Sequence, residues 1–511
     1  MSAFTPPVAQ GELKDAPSPL GLRYDRRLLA AATLLALPVG LAVGLHPAAV
    51  VLVAVLVAAA ALSAFAPVHY LPAVLLAGTI IEPTLVLKGV SGAGQAHLVI
   101  AIAVIALVRV LVARPKLTVP ALFPLALATA LFLTLMMAAI ASGKPAGTVG
   151  SLSAMSRDLS FPFAAIVGII GGVRARDSQR WLTIPRMFAA LGIAASLACV
   201  DYWLWAKHGT LPLSSGLFGE VKAQSPFPVS RSIFPWVEDA PNLGAVTFVL
   251  IAAFAAPPLL LAPARRDRVL ALILVITSVA AVLATQSRTG IVALVTGSVA
   301  YLVLVRRGGG RRSRVVATLL LAAAVSGYVF STFPAERASS DNLAAREFIW
   351  GQAAHAFLNS PIIGHGYLYS QSGNFVEAAA KNGTTTSQTV STHSDWLSVL
   401  VDGGVVGLTL FVTIIMLMVR AALRGFRDPR SIPIAIGFLC LLVTFVTGGV
   451  DNTPTQSAAI PTIEWLTFGL MVGLTPSAVG KSLGAARQPR RAAPVRRAFR
   501  SMNPDIRSTS R

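Results

Sequence analysis

The chain has 511 residues, of which 55% are hydrophobic and only 12% charged, and its mean hydropathy is +0.72. A water-soluble domain does not tolerate that balance, so a soluble enzyme is excluded. The formal net charge of +21 comes from 42 Lys and Arg against 21 Asp and Glu, but the basic residues form short clusters between apolar runs rather than one continuous surface, which excludes a nucleic-acid partner.

Apolar runs of roughly 18 to 22 residues recur along the chain, each long enough to cross a hydrocarbon layer of about 30 Å. The sequence therefore predicts an all-α, polytopic integral membrane protein. In chain order the spans fall near 28–45, 48–66, 68–87, 95–112, 118–141, 159–172, 184–206, 241–261, 269–286, 288–305, 314–333, 396–419, 431–449 and 458–476. The short sixth run and the Pro-containing third are candidates for re-entrant or broken helices. Arg26 and Arg27 precede an apolar run as in a signal peptide, but that run leads directly into another span, so it is read as an uncleaved first helix. Cys199 and Cys440 lie within apolar runs and act as small hydrophobes, so no disulfide framework or zinc site is expected.

The basic clusters occupy alternate connections: Arg23, Arg26 and Arg27; Arg114 and Lys116; Arg174, Arg176 and Arg180; Arg265, Arg266 and Arg268; residues 306–314; residues 420–430; and the tail from Lys481. The positive-inside rule makes these connections and both termini cytoplasmic, in a cell membrane crossed many times. The domain organisation that follows is a cytoplasmic tail at 1–27, membrane helices at 28–333, a large outer loop at 334–395, further membrane helices at 396–476, and a basic tail at 477–511 whose composition does not fold. A cysteine introduced at Gly383 should accordingly react with an impermeant thiol reagent in intact cells, and one at Gly309 should not. The reverse labelling pattern would overturn the sidedness.

Only two outer connections are long, at about 207–240 and 334–395. In the second, Leu343, Ile349, Trp350, Ala353 and Phe357 recur at near-helical spacing after Asp341, a candidate N-cap. This predicts an amphipathic helix along the membrane surface. Beyond Pro361 the chain turns to Gly, Ser, Thr and Asn until Thr392, as in a loop over the outer mouth. Thr392 followed by Asp395 resembles a capping box, placing His393 at the outer end of the next span, and Gly404 and Gly407 lie i, i+3 for close helix packing. Arg288 begins a span at the outer boundary against the positive-inside trend, where its guanidinium and the helix N-terminus present positive potential together.

Histidine, then Asn, Ser or Gln, then nine residues and GxxG is the signature of the O-antigen ligase and Wzy-type polymerase superfamily. His393, Ser394 and Gly404-Val405-Val406-Gly407 satisfy it. Ser287-Arg288-Thr289-Gly290 resembles the family's SR(T/G)G segment, Arg346 to Trp350 its RxxxL/W element, and residues 359–366 (NSPIIGHG) its "NPLxGxG" turn, with His365 where a smaller residue is usual.

The resemblance implies a GT-C-type architecture of about twelve spans, bounding the expectation at twelve to fourteen, with the active site on the periplasmic or extracellular side. It also implies an undecaprenyl-pyrophosphate-linked glycan as donor and a glycan, lipid or protein hydroxyl as acceptor, within membrane lipid. Breaking the bond between anomeric carbon and phosphate leaves charge on pyrophosphate, which needs cations or a metal. Metal-dependent relatives would be expected to carry carboxylates in an early outer loop, but the first outer turn here, at Leu45 to Pro47, has none. No metal and no cofactor are therefore expected, and arginine, whose planar fork suits phosphate oxygens, takes the task.

The catalytic candidates are Arg288, Arg346 and His393, the last as a neutral imidazole that takes the acceptor's proton. The substrate-binding candidates are Arg231, Asn242, Ser287 and Ser394. Glu82, beside Pro83, reads as a functional intramembrane carboxylate or equally as a helix-breaking or interhelical hydrogen-bonding group, and His46, His69, His97, His208 and His355 read as interfacial side chains. An inverting ligase-like transferase is the first reading and a polymerase of lipid-linked repeat units its nearest alternative. A solute transporter is a more distant one, because the chain has little paired charge at membrane depth.

Overall fold

The computed structural model describes residues 66–86, 102, 104, 105, 108, 123–141, 148–178, 180–208, 240–285, 287–305, 340–366, 369, 394–428, 430–448 and 459–475. These residues form helices and no strands. After a 3-10 turn at Val68–Tyr70 come α1 (Leu71–Val86), α2 (Phe123–Ala141), α3 (Thr148–Asp177), α4 (Thr183–His208) and α5 (Ala240–Leu260). They are followed by α6 (Arg265–Thr285), α7 (Arg288–Val305), α8 (Ser340–Asn359), α9 (Asp395–Gly425), α10 (Ile432–Gly448) and α11 (Ala459–Leu474). The predicted spans near 28–45, 48–66 and 314–333 lie outside the described residues, as do nearly all of 95–112 and both tails.

The chain is a polytopic helical membrane protein. Four described helices are long and apolar enough to cross a membrane, at Thr183–Leu204, Asn242–Leu260, Arg265–Thr285 and Asp395–Gly425. Leu272, Ile276 and Leu283 of α6 and Met416 of α9 stand exposed, while Ala271, Leu274, Ala281 and Val282 on the other side of α6 are buried. A helix that is apolar on both its covered and its uncovered face suits lipid on one side and protein on the other. The two runs with a possible break are each one helix: α1 continues through Pro83, and the sixth run is the middle of the 30-residue α3, with Pro162 inside it.

The centre of the bundle is α5, 89% buried over its span against 28 to 39% for the other three, and it packs on α4, α6, α7 and α10. A second seam joins α3 to α11. Gly168 and Gly172 face Gly469 and Gly473, and a Cβ on any of the four would collide with the opposite backbone. Two small-xxx-small motifs thus bring the helix axes together where lipid supplies no hydrophobic drive for association.

Helix direction follows from these contacts. The residue numbers at the α3–α11 seam rise together, so those two helices are parallel. The starts of α5 and α7 meet through Asn242 and Ser287. Thr296 and Thr447 of α7 and α10 are 3.0 Å apart, while Ala300 lies by Cys440, so these two are antiparallel. Gly425 meets both Ala435 and Thr475, which brings the ends of α9 and α11 to the start of α10. The N-termini of α3, α5, α7, α9 and α11 therefore gather at one end of the bundle. The described basic turns, with Arg174, Arg176 and Arg180, Arg265 and Arg268, and Arg424 and Arg430, lie at the other. At that basic end Arg186 of α4 donates to both carboxylate oxygens of the buried Asp267 of α6, at 2.7 and 2.8 Å. A bidentate guanidinium suits a carboxylate withdrawn from water.

Candidate functional site

The end away from the basic turns carries the motif segments. α7 begins where the sequence predicts, at Arg288, because Ser287 caps it: the Ser287 hydroxyl accepts from the Gly290 amide at 3.0 Å and donates to Asn242 Oδ1 at 2.8 Å. Gly290 completes the junction, since its missing Cβ lets the first turn of α7 rest on Ala245 of α5. Asn242 and Ser287 are therefore brought together, with Ser287 wholly buried and Arg288 the first residue of the capped helix. Ser287 can influence a ligand only through the helix end that it fixes.

α9 begins at Asp395, not at Thr392. Ser394 is the N-cap, with extended backbone and a hydroxyl accepting from the Leu397 amide. Ser394 can place its side-chain oxygen over the third amide of the helix, which Thr392 is two residues too early to reach. His393 itself, like Arg231, lies outside the described residues; chain continuity sets it immediately before the Ser394 cap.

The glycines of the histidine signature do not share a helical face. Gly404 has φ +62° and breaks α9, which leaves residues 405–425 as a run of about 31 Å at 1.5 Å per residue, enough for the hydrocarbon layer. The break frees backbone groups that the turn at 360–366 takes up. The amides of His365 and Gly366 donate to the carbonyls of Val401 and Asp402, and those of Val405 and Val406 donate to Pro361 and Ile362, all at 2.9 to 3.1 Å. Gly364, at φ +69°, lies against Gly403 and the Asp402 carbonyl, so the two segments touch backbone to backbone. Two motifs that are separate in the sequence are here one object.

α8 is the predicted surface helix, starting at Ser340 so that Asp341 lies in its first turn rather than capping it. Its covered face is Ile349, Ala353 and Ala356, packed on Val401 of α9, whereas Trp350 is exposed. Arg346 lies on this helix one turn before Ile349 and Trp350. The His365 ring fixes the far end of α8, because Nε2 donates to the Ala356 carbonyl at 2.6 Å and the ring stacks on Tyr369. α8, the 360–366 turn and the first part of α9 thus form one assembly that carries Arg346 and Ser394. Among the described residues, no three His, Cys, Asp or Glu side chains come together.

Asp395, read from the sequence only as part of a capping box, and Ser398 and Asp402, which the sequence reading did not single out, are all buried on one side of α9 before the kink. Their i, i+3, i+7 spacing in an otherwise apolar stretch was the available signal.

Residues 273–412 match the family model described as O-Antigen ligase. That interval runs from within α6 to beyond the kink of α9 and contains the capped start of α7, all of α8, the 360–366 turn and the Ser394 cap. Over 356 residues, covering 69% of this chain and 71% of the relative, the chain is 26% identical to an O-antigen ligase of Pseudomonas aeruginosa. The chain is similar to O-antigen ligases. The matched interval coincides with the helix starts and the paired turn at the end opposite the basic residues.

Proposed function

We propose that the protein transfers an oligo- or polysaccharide from undecaprenyl pyrophosphate to an acceptor hydroxyl at the outer face of the cell membrane. The observation that carries this reading is the coincidence of the O-Antigen ligase match with two elements at the same end of the bundle: the start of α7, where Arg288 opens a helix fixed by Ser287 and Asn242, and the α8–α9 assembly, which carries Arg346 and Ser394.

The acceptor hydroxyl attacks the anomeric carbon on the face opposite the carrier, a new C–O bond forms, and the bond to the pyrophosphate oxygen breaks with inversion. His393 takes the hydroxyl proton. Arg288, with the N-terminal dipole of α7 behind it, and Arg346 stabilise the charge left on the pyrophosphate, so that no metal is required. Arg231 and Asn242 contribute to holding glycan or phosphate, Ser287 acts through the helix that it caps, and Ser394 fixes the approach of His393. A relative described as an O-antigen ligase favours transfer to an acceptor over polymerisation, which would use the same groups on a second lipid-linked repeat unit.

The test is purified protein in detergent with lipid-linked glycan and candidate acceptors, with and without EDTA. Glycan should appear on the acceptor in both conditions. Longer lipid-linked chains alone would identify a polymerase, abolition by EDTA would remove the metal-free mechanism, and absence of any glycan product would remove the transferase reading.

A further inference from the structure

The paired turn at 360–366 presents apolar side chains outward. Leu358 at the end of α8, Ile362 and Ile363 in the turn, and Val405 and Val406 just after the kink stand 39 to 67% exposed. The bonds between the two segments make these side chains one patch, because Val405 and Val406 donate their amides to the Pro361 and Ile362 carbonyls. No Asp, Glu, Lys or Arg falls within 358–366 or 403–419. Contiguous apolar surface left uncovered marks a contact with lipid or with another protein.

The path of α9 decides between the two. Along a straight helix Trp396 and Phe411 would lie about 22 Å apart, but their rings meet at 5.4 Å, so Gly404 turns the chain back on itself. Residues 405–425 therefore begin a helix of their own, and the Pro361 and Ile362 carbonyls cap its first amides. Down that helix Val405, Thr409, Val412 and Met416 are exposed at i, i+4, i+7 and i+11, one stripe that ends at the exposed Arg420. An uncovered stripe of this kind on a membrane-crossing helix faces acyl chains, with the arginine reaching to the headgroups at the basic end. From Arg420 to Val405 the stripe rises about 22 Å, against a hydrocarbon layer of about 30 Å. Ile362 and Ile363, in the turn that caps this helix, continue the apolar surface beyond its first residue.

We propose that the turn at 360–366 is inserted in the membrane, with Leu358, Ile362 and Ile363 among the acyl chains of the leaflet at the end away from the basic turns. Lipid is the occupant because the patch extends the lipid-facing stripe of α9 and shares its lack of charge. The insertion bears on the candidate site. α8 ends at the turn and α9 is bonded to it, so the bilayer sets the depth at which Arg346 and Ser394 are held, in a segment that the sequence alone places in an outer loop.

Single cysteines at Leu358, at Ile363, at Met416 in the stripe and at Gly383 in the polar part of the loop test this in lipid nanodiscs. Wild type, whose two cysteines are buried, is the background. A thiol in apolar surroundings has a raised pKa, and one unit lowers the reactive thiolate about tenfold, so Leu358→Cys and Ile363→Cys should react with a charged maleimide about tenfold or more slower than Gly383→Cys. Rates equal to that of Gly383→Cys would overturn the insertion. A nitroxide attached in detergent before reconstitution then identifies what surrounds each position. At 358 and 363, as at 416, oxygen should reach the label readily and a water-soluble nickel complex should not. Access by nickel equal to that at 383 would place the turn in water, and exclusion of both reagents would show it covered by protein, such as a second copy of the chain; either result refutes the proposal.

Discussion

His393→Ala should lower glycan transfer by about 10² to 10⁴, the range for loss of a general base, with folded yield in detergent close to wild type. Arg288→Lys should cost about 10² to 10³, because an ammonium keeps the charge and loses the bidentate geometry. The fold separates the two effects: His393 precedes the Ser394 cap of α9, whereas Arg288 opens α7, whose start is fixed by other side chains, Ser287 and Asn242. The sign of the pH dependence follows from the base. A protonated imidazole cannot accept a proton, so wild-type activity should decline as pH falls through the ordinary imidazole range. The measurement is initial transfer rate against pH for purified protein, beside a melting curve for each variant. Full activity in His393→Ala would end the base assignment, and wild-type rates in Arg288→Lys would show that a point charge suffices.

The largest loss of stability should come from Gly404→Val. A side chain there must adopt φ +62° and enter the space of the Ile362 carbonyl and the Gly364 amide. The left-handed conformation costs about 1 to 2 kcal/mol for a residue with a Cβ. Pushing the 360–366 turn away from α9 also strains four backbone hydrogen bonds, each contributing about 0.5 to 1.5 kcal/mol. A loss of about 3 kcal/mol or more is expected as a lower melting temperature in detergent. Gly351→Ala is the control, since a Cβ at that position meets nothing within 4 Å, and alanine in mid-helix should be neutral or stabilise by up to about 1 kcal/mol. Equal melting temperatures for Gly404→Val and Gly351→Ala would show that the paired turn contributes nothing to stability.

How far the sequence revealed this arrangement depended on the range of the contacts involved. The start of α7 at Arg288 and the surface helix were legible because local signals set them: a capping serine, and apolar residues at helical spacing. The roles of Gly404 and Gly364 were not. Along the chain, GxxG inside an apolar stretch reads as a small-residue helix face, and only the turn some forty residues upstream shows that the first glycine is a break rather than a packing surface. The start of α9 shifted because two polar side chains stood close together, and the one whose hydroxyl reaches the Leu397 amide, Ser394, won over Thr392. The glycine seam of α3 and α11 joins positions about three hundred residues apart, and periodicity within either helix does not reveal its partner. The buried polar face of Asp395, Ser398 and Asp402 was not legible, because a start signal at the outer end of a span accounts for Asp395 alone and polar residues in the first turns of such a helix read equally as facing water.

The seam between α3 and α11 has a consequence for how the protein is made. Residues 148–177 leave the ribosome long before 459–474, and in the interval the glycine face of α3 lacks the α11 partner that covers it in the finished fold. The lipid or another transient neighbour must occupy that groove until the last described helix is inserted, and closing it requires α11 to enter alongside a helix of the same orientation. Assembly of this bundle is therefore completed from its C-terminal end: a chain stopped before residue 459 carries an unsealed groove on α3, the kind of surface by which membrane quality control distinguishes an unfinished protein from a finished one.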